Sequence, residues 1–208
     1  MRIFLIRHGE SAGNANHEIY NTVPDNKIEL TDLGIGQARK VGVKLREEFD
    51  VKVPVIYSST HKRAMQTAEN LAESANFIHS KAHYEPRIIE QEWRGHLNEP
   101  FDDKHHWLRT QFGSFHYRFD TGESGLDVYC RVKPFLREIL LDNKHTDDII
   151  IVSHGITINI MIMALLNELP EFAESIKYPK NCGCILIEGG KNSLELKSEL
   201  VYRKNKKK

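Results

Sequence analysis

The pattern of apolar and polar residues divides the 208-residue chain into short apolar runs and longer segments in which apolar residues recur with helical spacing. Three runs are typical of buried strands, because apolar residues follow one another without a polar face: 2–6 (RIFLI), 53–59 (VPVIYSS) and 147–153 (DDIIIVS). Weaker extended segments are predicted at 82–93 (AHYEPRIIEQEW), 182–189 (CGCILIEG) and 193–202 (SLELKSELVY).

Helical segments separate these runs. Thr31 is a predicted N-cap, and apolar residues with helical spacing follow it at Leu33, Ala38, Val41, Leu45 and Phe49. A second helix is predicted over 60–75 and a third over 122–143, where Pro134 must kink the helix or mark a new start. Residues 156–169 are apolar nearly all round, which predicts a buried helix.

The order of these elements predicts the fold class. A chain that alternates strand and helix forms a mostly parallel sheet covered by helices on both faces, so we predict an α/β fold built as a three-layer α/β/α sandwich. The length favours a single domain over 1–202, followed by a basic tail at 203–208. Residues 94–120 have no clear period and are predicted to be an irregular excursion that shapes a site.

Composition excludes several function classes. The 29 lysines and arginines balance 29 aspartates and glutamates, so no overall field attracts nucleic acid or an anionic membrane. The apolar run before Arg7 has too few residues for the core of a signal peptide, and no stretch reaches membrane-spanning length. We therefore expect a cytoplasmic protein. The three cysteines are expected to be free, and CGC on a strand would place Cys182 and Cys184 on one face.

A His-Gly pair follows two of the predicted strands. IFLIRHG ends in His8 and Gly9, and IIIVSHG ends in His154 and Gly155. In open α/β sheets, ligands bind outside the carboxyl ends of the strands. The two histidines are therefore predicted to converge on one crevice.

Two arginines are predicted to reach the same crevice. Arg7 precedes His8, and Arg63 lies where SSTHKRAMQTA follows the strand at 53–59. Two guanidinium groups make a fork-shaped anion site, to which the backbone amides beside Gly9 and Gly155 add further donors. This combination fits a phosphoryl group.

These motifs carry a resemblance to a known family. RHGES with Asn14 after it, SSTHKRAMQTA, IIEQEW and IVSHG occur in the order found in the histidine phosphatase superfamily, which is also called phosphoglycerate mutase-like. The stretch FGSFHYRFDTGESGLDVYCRV, with EQEW before it, resembles the broad-range acid phosphatase branch more than the glycolytic mutases. The resemblance implies the phosphoglycerate mutase-like fold.

The resemblance also implies roles for individual residues. His8 would be the nucleophile that becomes phosphohistidine, Glu90 the proton donor, and Arg7, Arg63 and His154 the groups that bind the phosphoryl oxygens. An imidazole attacks phosphorus only when it is neutral, so the other ring nitrogen of His8 is expected to contact an acceptor, such as a backbone carbonyl of its own loop. Glu92 is the alternative acid, because EQEW offers two carboxyl groups.

Other residues are predicted to help bind the substrate. Asn14 matches the asparagine of the first family motif, and the amide of Gly155 would face the phosphoryl group. The excursion at 94–120 has a locally basic rim that would favour substrates with more than one negative group, and Arg118 is the rim residue singled out. Tyr20, in the loop after the first motif, is a further candidate.

The predicted reaction is hydrolysis of small phosphomonoesters, with no metal and no organic cofactor. The adjacent histidines at 105 and 106 and the pair at 79 and 83 are interpreted as surface residues rather than metal ligands. Two alternatives remain open. The same residues could serve a phosphoglycerate mutase, or a catalytically idle relative that only binds phosphate.

Overall fold

The computed structural model describes residues 1–93, 103–142, 148–190 and 193–198, and the following elements lie within these ranges. The strands are β1 (Arg2–Arg7), β2 (Val55–Ser58), β3 (Ala82–Tyr84), β4 (Asp148–Ser153), β5 (Cys184–Gly190) and β6 (Ser193–Leu196). The α-helices are α1 (Ala12–Ala15), α2 (Asp32–Glu47), α3 (Lys62–Ser74), α4 (Asp103–Phe112), α5 (Gly125–Asp142), α6 (Gly155–Leu166) and α7 (Pro170–Ser175). Short 3₁₀ turns occur at His17–Asn21, Asp25–Lys27 and Pro86–Ile88.

The strands form one sheet in the order β3-β2-β4-β1-β5-β6. β1 and β4 are neighbours at its centre and run parallel, with Arg7 opposite Ser153. β2 pairs in parallel with β4 and β3, whereas β5 runs antiparallel to β1. The predicted α/β fold with a mostly parallel sheet is therefore confirmed, and the carboxyl ends of β1 and β4 lie side by side.

Alternate side chains of the central strands enter two separate cores. Phe4 and Ile6 pack with apolar residues of α2 and α3, whereas Ile3 and Leu5 pack with those of α5 and α6. Every residue of β4 is buried, because helices cover both faces of the sheet. This arrangement confirms the three predicted layers.

Helix α2 begins as predicted, since the Thr31 hydroxyl accepts a hydrogen bond from the backbone amide of Gly34 at 3.1 Å. Ala38 and Leu45 are buried on its inner face. Leu33, which we assigned to the same face, is 58% exposed, so that part of the predicted stripe is wrong. It lies in the first turn beside Gly34, which is buried against the backbone of Glu10, so the buried side of this turn is the side of Gly34.

The predicted irregular excursion at 94–120 contains a helix. α4 occupies Asp103–Phe112, so the prediction is wrong for these residues; 94–102 lie outside the described part of the chain. The side chains of Trp107 and Phe112 on α4 are 59% and 64% exposed. Because this helix does not bury a continuous apolar stripe, its sequence lacks the periodicity that reveals a helix.

Two further predictions can be compared with the structure. α5 is a single helix with Pro134 inside it, so no new helix starts there. β5 begins at Cys184, whereas Cys182 has a φ of 55° and lies in the preceding turn, so the two thiols do not share a strand face. All three cysteines are free, as expected.

None of the helices in the described ranges is both long enough and apolar enough to cross a membrane. The basic tail at 203–208 and the end of the predicted domain at 199–202 lie outside the described residues.

Candidate active site

The two His-Gly pairs meet at the carboxyl ends of β1 and β4. The backbone amide of His8 donates to the carbonyl oxygen of Ser153 at 2.9 Å, which extends the parallel ladder by one residue. The ring centroids of His8 and His154 are 5.1 Å apart. The predicted convergence of the two histidines follows directly from this register.

Two contacts determine which nitrogen of the His8 ring carries the proton. Nδ1 lies 2.7 Å from the carbonyl oxygen of Gly9, and Nε2 lies 3.3 Å from the Nε of Arg63. A carbonyl oxygen cannot donate and a guanidinium cannot accept, so Nδ1 bears the hydrogen and Nε2 keeps its lone pair. The expected contact with a carbonyl of its own loop is confirmed.

His8 is buried, and its charge state follows from its surroundings. Burial and the cations Arg63 and Arg7 lower the pKa of His8 well below the usual 6.5. Desolvation and nearby positive charge both disfavour the imidazolium form. The ring is therefore neutral near physiological pH.

Arg63, which begins the buried face of α3, is only 3% exposed. Its Nη1 contacts the main-chain oxygen and Oδ1 of Asp25 at 2.7 and 2.9 Å, and its Nη2 contacts Oδ2 at 3.2 Å. The guanidinium is therefore held by a carboxylate on one side and lies against His8 on the other.

Arg7 leaves the end of β1 toward the same crevice. Its Nη1 donates to the carbonyl oxygen of Pro179 at 2.8 Å, and its buried Nε has no hydrogen-bond partner in the described part of the chain. Burial lowers the pKa of Arg7, while Glu90 and Tyr178 are among the groups that act against this shift. Arg7 thus brings a second, incompletely paired cation close to Glu90.

His154 is fully buried and is the N-cap of α6. Its Nε2 lies 2.8 Å from the hydroxyl of Ser59, whereas its Nδ1 has no hydrogen-bond partner among the described residues. Burial, with Arg63 and His8, lowers the pKa of His154 well below 6.5. We assign the Ser59 hydroxyl as the donor to Nε2, which places the proton of the neutral ring on Nδ1.

Glu90 lies at the amino end of α6. Its carboxylate oxygens accept from the backbone amides of Ile156 and Thr157 at 3.3 and 3.2 Å, and from the Thr157 hydroxyl at 3.1 Å. A helix amino terminus holds a carboxylate well, because its first amides have no partner within the helix. Glu92, the alternative acid, is exposed and has its backbone amide bonded to Glu123.

Three of the other predicted site residues lie near this centre. The Asn14 side-chain oxygen accepts from Asn181, which also donates to the carbonyl oxygen of His8. A Cβ atom on Gly155 would lie 3.8 Å from the Nε of Arg7. Burial raises the pKa of Tyr20, whereas the nearby charge of Arg63 acts to lower it, which places the phenol close to Arg63.

Arg118 lies away from these residues. Its side chain is 61% exposed and forms an ion pair with Asp127, at the start of α5. None of its described contacts is with Arg7, His8, Arg63, Glu90 or His154. The structure thus brings together the predicted residues apart from Arg118, which lies on the surface.

Sequence reasoning missed two residues of the site. Asp25 holds Arg63, and the Nδ1 of buried His61 lies 3.4 Å from the Oδ2 of Asp25. The ring of His61 also packs on that of His154, with centroids 5.0 Å apart. The one available signal was that His61 stands two positions before Arg63 in the quoted motif; Asp25 has no signal beyond its place in a loop.

No cluster of three potential metal ligands occurs among the described residues. Two arginines, Arg7 and Arg63, lie in the crevice with His8 and His154, whose pKa values are lowered by burial.

Comparison with models of protein families identifies the family of this chain. The model of the histidine phosphatase superfamily (branch 1) matches residues 3–199. The chain belongs to the histidine phosphatase superfamily. The match includes both His-Gly pairs, Arg63 and Glu90.

Relatives within the superfamily have names of two kinds. A phosphoglycerate mutase-like protein, AT74, from Arabidopsis thaliana is 32% identical, over 94% of this chain and 68% of its own length. A second Arabidopsis protein, AT74H, is 35% identical over 77% of this chain and 64% of its own length. Phosphoserine phosphatase 1 from Hydrogenobacter thermophilus is 34% identical, over 80% and 76% of the two chains.

Solved structures share the fold at lower identity. A mycobacterial glucosyl-3-phosphoglycerate phosphatase has a TM-score of 0.77 at 22% identity, over 96% of this chain and 98% of its own. The YhfR protein of Bacillus stearothermophilus has a TM-score of 0.78 at 21% identity, over 95% and 96%. These similarities confirm the phosphoglycerate mutase-like fold of this superfamily member.

Proposed function

We propose that this superfamily member hydrolyses small phosphomonoesters through a covalent phosphohistidine on His8. The observation that carries the proposal is the state of the His8 ring: Nδ1–H is bound to Gly9, and Nε2 keeps its lone pair beside Arg63. A neutral imidazole with a fixed tautomer is what nucleophilic attack on phosphorus requires. The name of the phosphoserine phosphatase relative supports hydrolysis.

In the first half of the reaction, His8 Nε2 attacks phosphorus, the P–N bond forms and the bond to the ester oxygen breaks. Arg7, Arg63 and the Nδ1–H of His154 bind the three non-bridging oxygens, where the negative charge is concentrated. Glu90, in its protonated form, gives its proton to the leaving oxygen, which departs as an alcohol. Its carboxyl group is close enough to Arg7 to act on the pKa of that arginine, so it lies near the groups proposed to bind the phosphoryl oxygens.

In the second half, water attacks the phosphohistidine on the opposite side from Nε2. The Glu90 carboxylate takes the proton of that water, the P–N bond breaks, and the bonding pair returns to Nε2. Phosphate leaves, and His8 is again the neutral Nδ1–H form held by Gly9. In this proposed reaction, two guanidinium groups supply the positive charge that stabilises the phosphoryl oxygens, so no metal ion takes part.

Three further residues complete the proposed binding site. Asn14 contacts Asn181, which also donates to the carbonyl oxygen of His8, and Gly155 is the first residue of α6, so its amide has no partner within the helix. Tyr20 packs over Gly13, where a Cβ atom would come within 2.6 Å of the phenol ring. The loop after β1 thus brings the Tyr20 side chain to the crevice near Arg63.

The names of the plant relatives and of bacterial relatives described as probable phosphoglycerate mutases keep mutase activity as the rival hypothesis. A mutase transfers the phosphoryl group from the histidine to a second hydroxyl, whereas a phosphatase transfers it to water. An idle relative would transfer it to neither.

A rapid-quench experiment with a ³²P-labelled alkyl phosphate tests the proposal. We expect label that is stable in base and labile in acid on the wild-type protein, release of inorganic phosphate as the final product, and persistence of both after dialysis against a chelator. His8→Asn removes the nucleophile and should lower turnover by about a thousandfold or more.

Three outcomes contradict the proposal. A wild-type protein that hydrolyses esters without labelled histidine uses another mechanism. A protein that labels but returns the label to a second hydroxyl is a mutase, and a folded protein with neither label nor turnover is an idle relative.

A further inference from the structure

Helix α4 carries Arg109, a partly buried arginine. Among the side chains that the structure describes, no carboxylate lies within ion-pair distance of Arg109, and its Nε is buried without a hydrogen-bond partner. A partly buried cation without a counter-ion is costly to maintain, because burial removes the water that would solvate it. Such a group commonly meets its counter-ion in a ligand.

Two aromatic residues hold the Arg109 guanidinium in place. Its Cζ lies over the ring of Trp93, 4.8 Å from the centroid, and its Nη2 lies 3.4 Å from the hydroxyl oxygen of Tyr178. Trp93 is itself stacked on Phe119, with an interplanar angle of 11°. Stacking fixes the plane of the guanidinium and leaves its edge as a donor fork.

Tyr178 connects this guanidinium with the phosphoryl site. A Cβ atom on Gly155 would lie 3.2 Å from the Cβ of Tyr178, so the base of the tyrosine packs on the start of α6. The phenol also acts on the pKa of Arg7, which burial lowers. Arg109 therefore lies about one tyrosine side chain away from the groups proposed to bind the phosphate.

We propose that Arg109, with the hydroxyl of Tyr178, binds a second anionic group of the substrate. The site thus selects phosphomonoesters that carry a carboxylate or a further phosphate beyond the scissile bond. The guanidinium edge donates two parallel hydrogen bonds to that group, while Arg7 and Arg63 hold the phosphoryl group. This inference rests on the proposed function, since it concerns the substrates of the same site.

The other candidate for this role is Arg118, which the sequence favoured. Its charge is already paired with Asp127, and its side chain is 61% exposed. An exposed, paired arginine contributes little to the binding of an anion, because water and the existing partner compete with it. The difference between the two arginines makes the proposal testable.

The test compares esters that differ in one charge. The substrates are the phosphate esters of glycolate, 3-hydroxypropionate and 4-hydroxybutyrate, each with its uncharged primary amide as the matched control. We expect wild-type kcat/KM to be about tenfold higher for the best acid than for its amide, as for a charge-assisted bidentate contact. The chain length that gives the largest ratio reports the distance between the two anion sites.

The variants are Arg109→Met, Arg109→Lys and Arg118→Met, with Arg39→Met as a control in a distant surface ion pair. We expect Arg109→Met to bring the ratio of acid to amide close to one and Arg109→Lys to restore part of it, because lysine keeps the charge without the fork. Arg118→Met and Arg39→Met should keep the wild-type ratio.

Several results would overturn the inference. The first is a wild-type ratio of kcat/KM for acid to amide near one. The second is an equal loss of kcat/KM for acid and amide in Arg109→Met. The third is loss of the preference for the acid in Arg118→Met but not in Arg109→Met. In each of these cases hydrolysis of the amide esters by the wild-type protein shows that the proposed function still holds. If the protein hydrolyses neither acid nor amide, the proposed function itself fails.

Discussion

Arg63 is held by Asp25 through contacts that leave its Nε directed at His8. Nη1 contacts both the main-chain oxygen and Oδ1 of Asp25, Nη2 contacts Oδ2, and Nε lies 3.3 Å from the His8 ring. A guanidinium bound on one edge presents the other edge in a fixed plane. Asp25 therefore orients the cation that the proposed mechanism uses.

This geometry predicts the effect of removing the Asp25 carboxylate. Asp25→Ala should weaken inhibition by vanadate about tenfold, because Arg63 loses its orientation. Asp25→Asn keeps an oxygen at the Oδ1 position, so its inhibition constant for vanadate should lie between those of the wild type and Asp25→Ala. The measurement is the inhibition constant. Asn26→Ala, on an exposed neighbour in the same turn, is the control, and an unchanged constant in Asp25→Ala would show that Arg63 needs no such support.

A change at Glu90 separates the two halves of the proposed reaction. Glu90→Gln should slow hydrolysis of an alkyl phosphate by about a hundredfold to ten thousandfold, because the leaving alkoxide receives no proton. With 4-nitrophenyl phosphate, whose leaving group needs no proton, His8 should still be phosphorylated. Water would then attack slowly, so the labelled phosphohistidine should accumulate.

Glu92→Gln is the matched control for this experiment, since Glu92 is exposed. We expect it to leave both steps close to the wild-type rates. If Glu92→Gln loses hydrolysis while Glu90→Gln keeps it, the assignment of the acid must be reversed.

The central part of the fold and of the site could be predicted from the sequence. Buried parallel strands have a strong apolar signal, and each His-Gly pair stands where such a run ends, so β1, β4 and the convergence of His8 with His154 were predictable. The predicted contact between the His8 ring and a carbonyl of its own loop is also present.

The remainder depends on tertiary contacts that leave no local pattern. Asp25 is one acidic residue in a polar loop until the fold brings it against Arg63. Arg109 was one of several cations at 94–120, and Arg118 was singled out although Asp127 neutralises it. α4 was missed because its apolar residues do not form a continuous stripe with helical spacing.

Two glycines of α2 predict opposite effects on stability. A Cβ atom on Gly42 would lie 2.3 Å from the carbonyl oxygen of Leu71, because α2 packs closely on α3 there. Gly42→Ala should therefore lower the free energy of unfolding by about 1–3 kcal/mol. Gly36, in the same helix, has open space around its Cβ position, so Gly36→Ala should raise it by about 0.5–1 kcal/mol.

Urea denaturation of both variants measures these differences. A Gly42→Ala protein as stable as the wild type would show that α2 and α3 can separate without cost. A Gly36→Ala protein that is less stable would show that this position needs the conformational freedom of glycine.

The buried histidines predict that the protein loses stability in mild acid. Burial, with the charge of Arg63, lowers the pKa of His61 from 6.5 to about 4. An unfolded chain takes up a proton here as the pH falls below about 6.5, whereas the folded protein does so only near pH 4. The contribution of His61 is therefore complete above pH 6.5 and decreases by up to about 3 kcal/mol as the pH falls toward 4.

His8 and His154 act in the same direction, since burial lowers the pKa of both. Free energies of unfolding measured in urea at several pH values should thus fall steeply below about pH 6.5, and less steeply in His61→Gln, which has one fewer titrating imidazole. His83→Gln, at an exposed position, should keep the wild-type slope. If His61→Gln also keeps that slope, the pKa of His61 is the same in the folded and unfolded chain, and the carboxylate of Asp25 offsets the effect of burial.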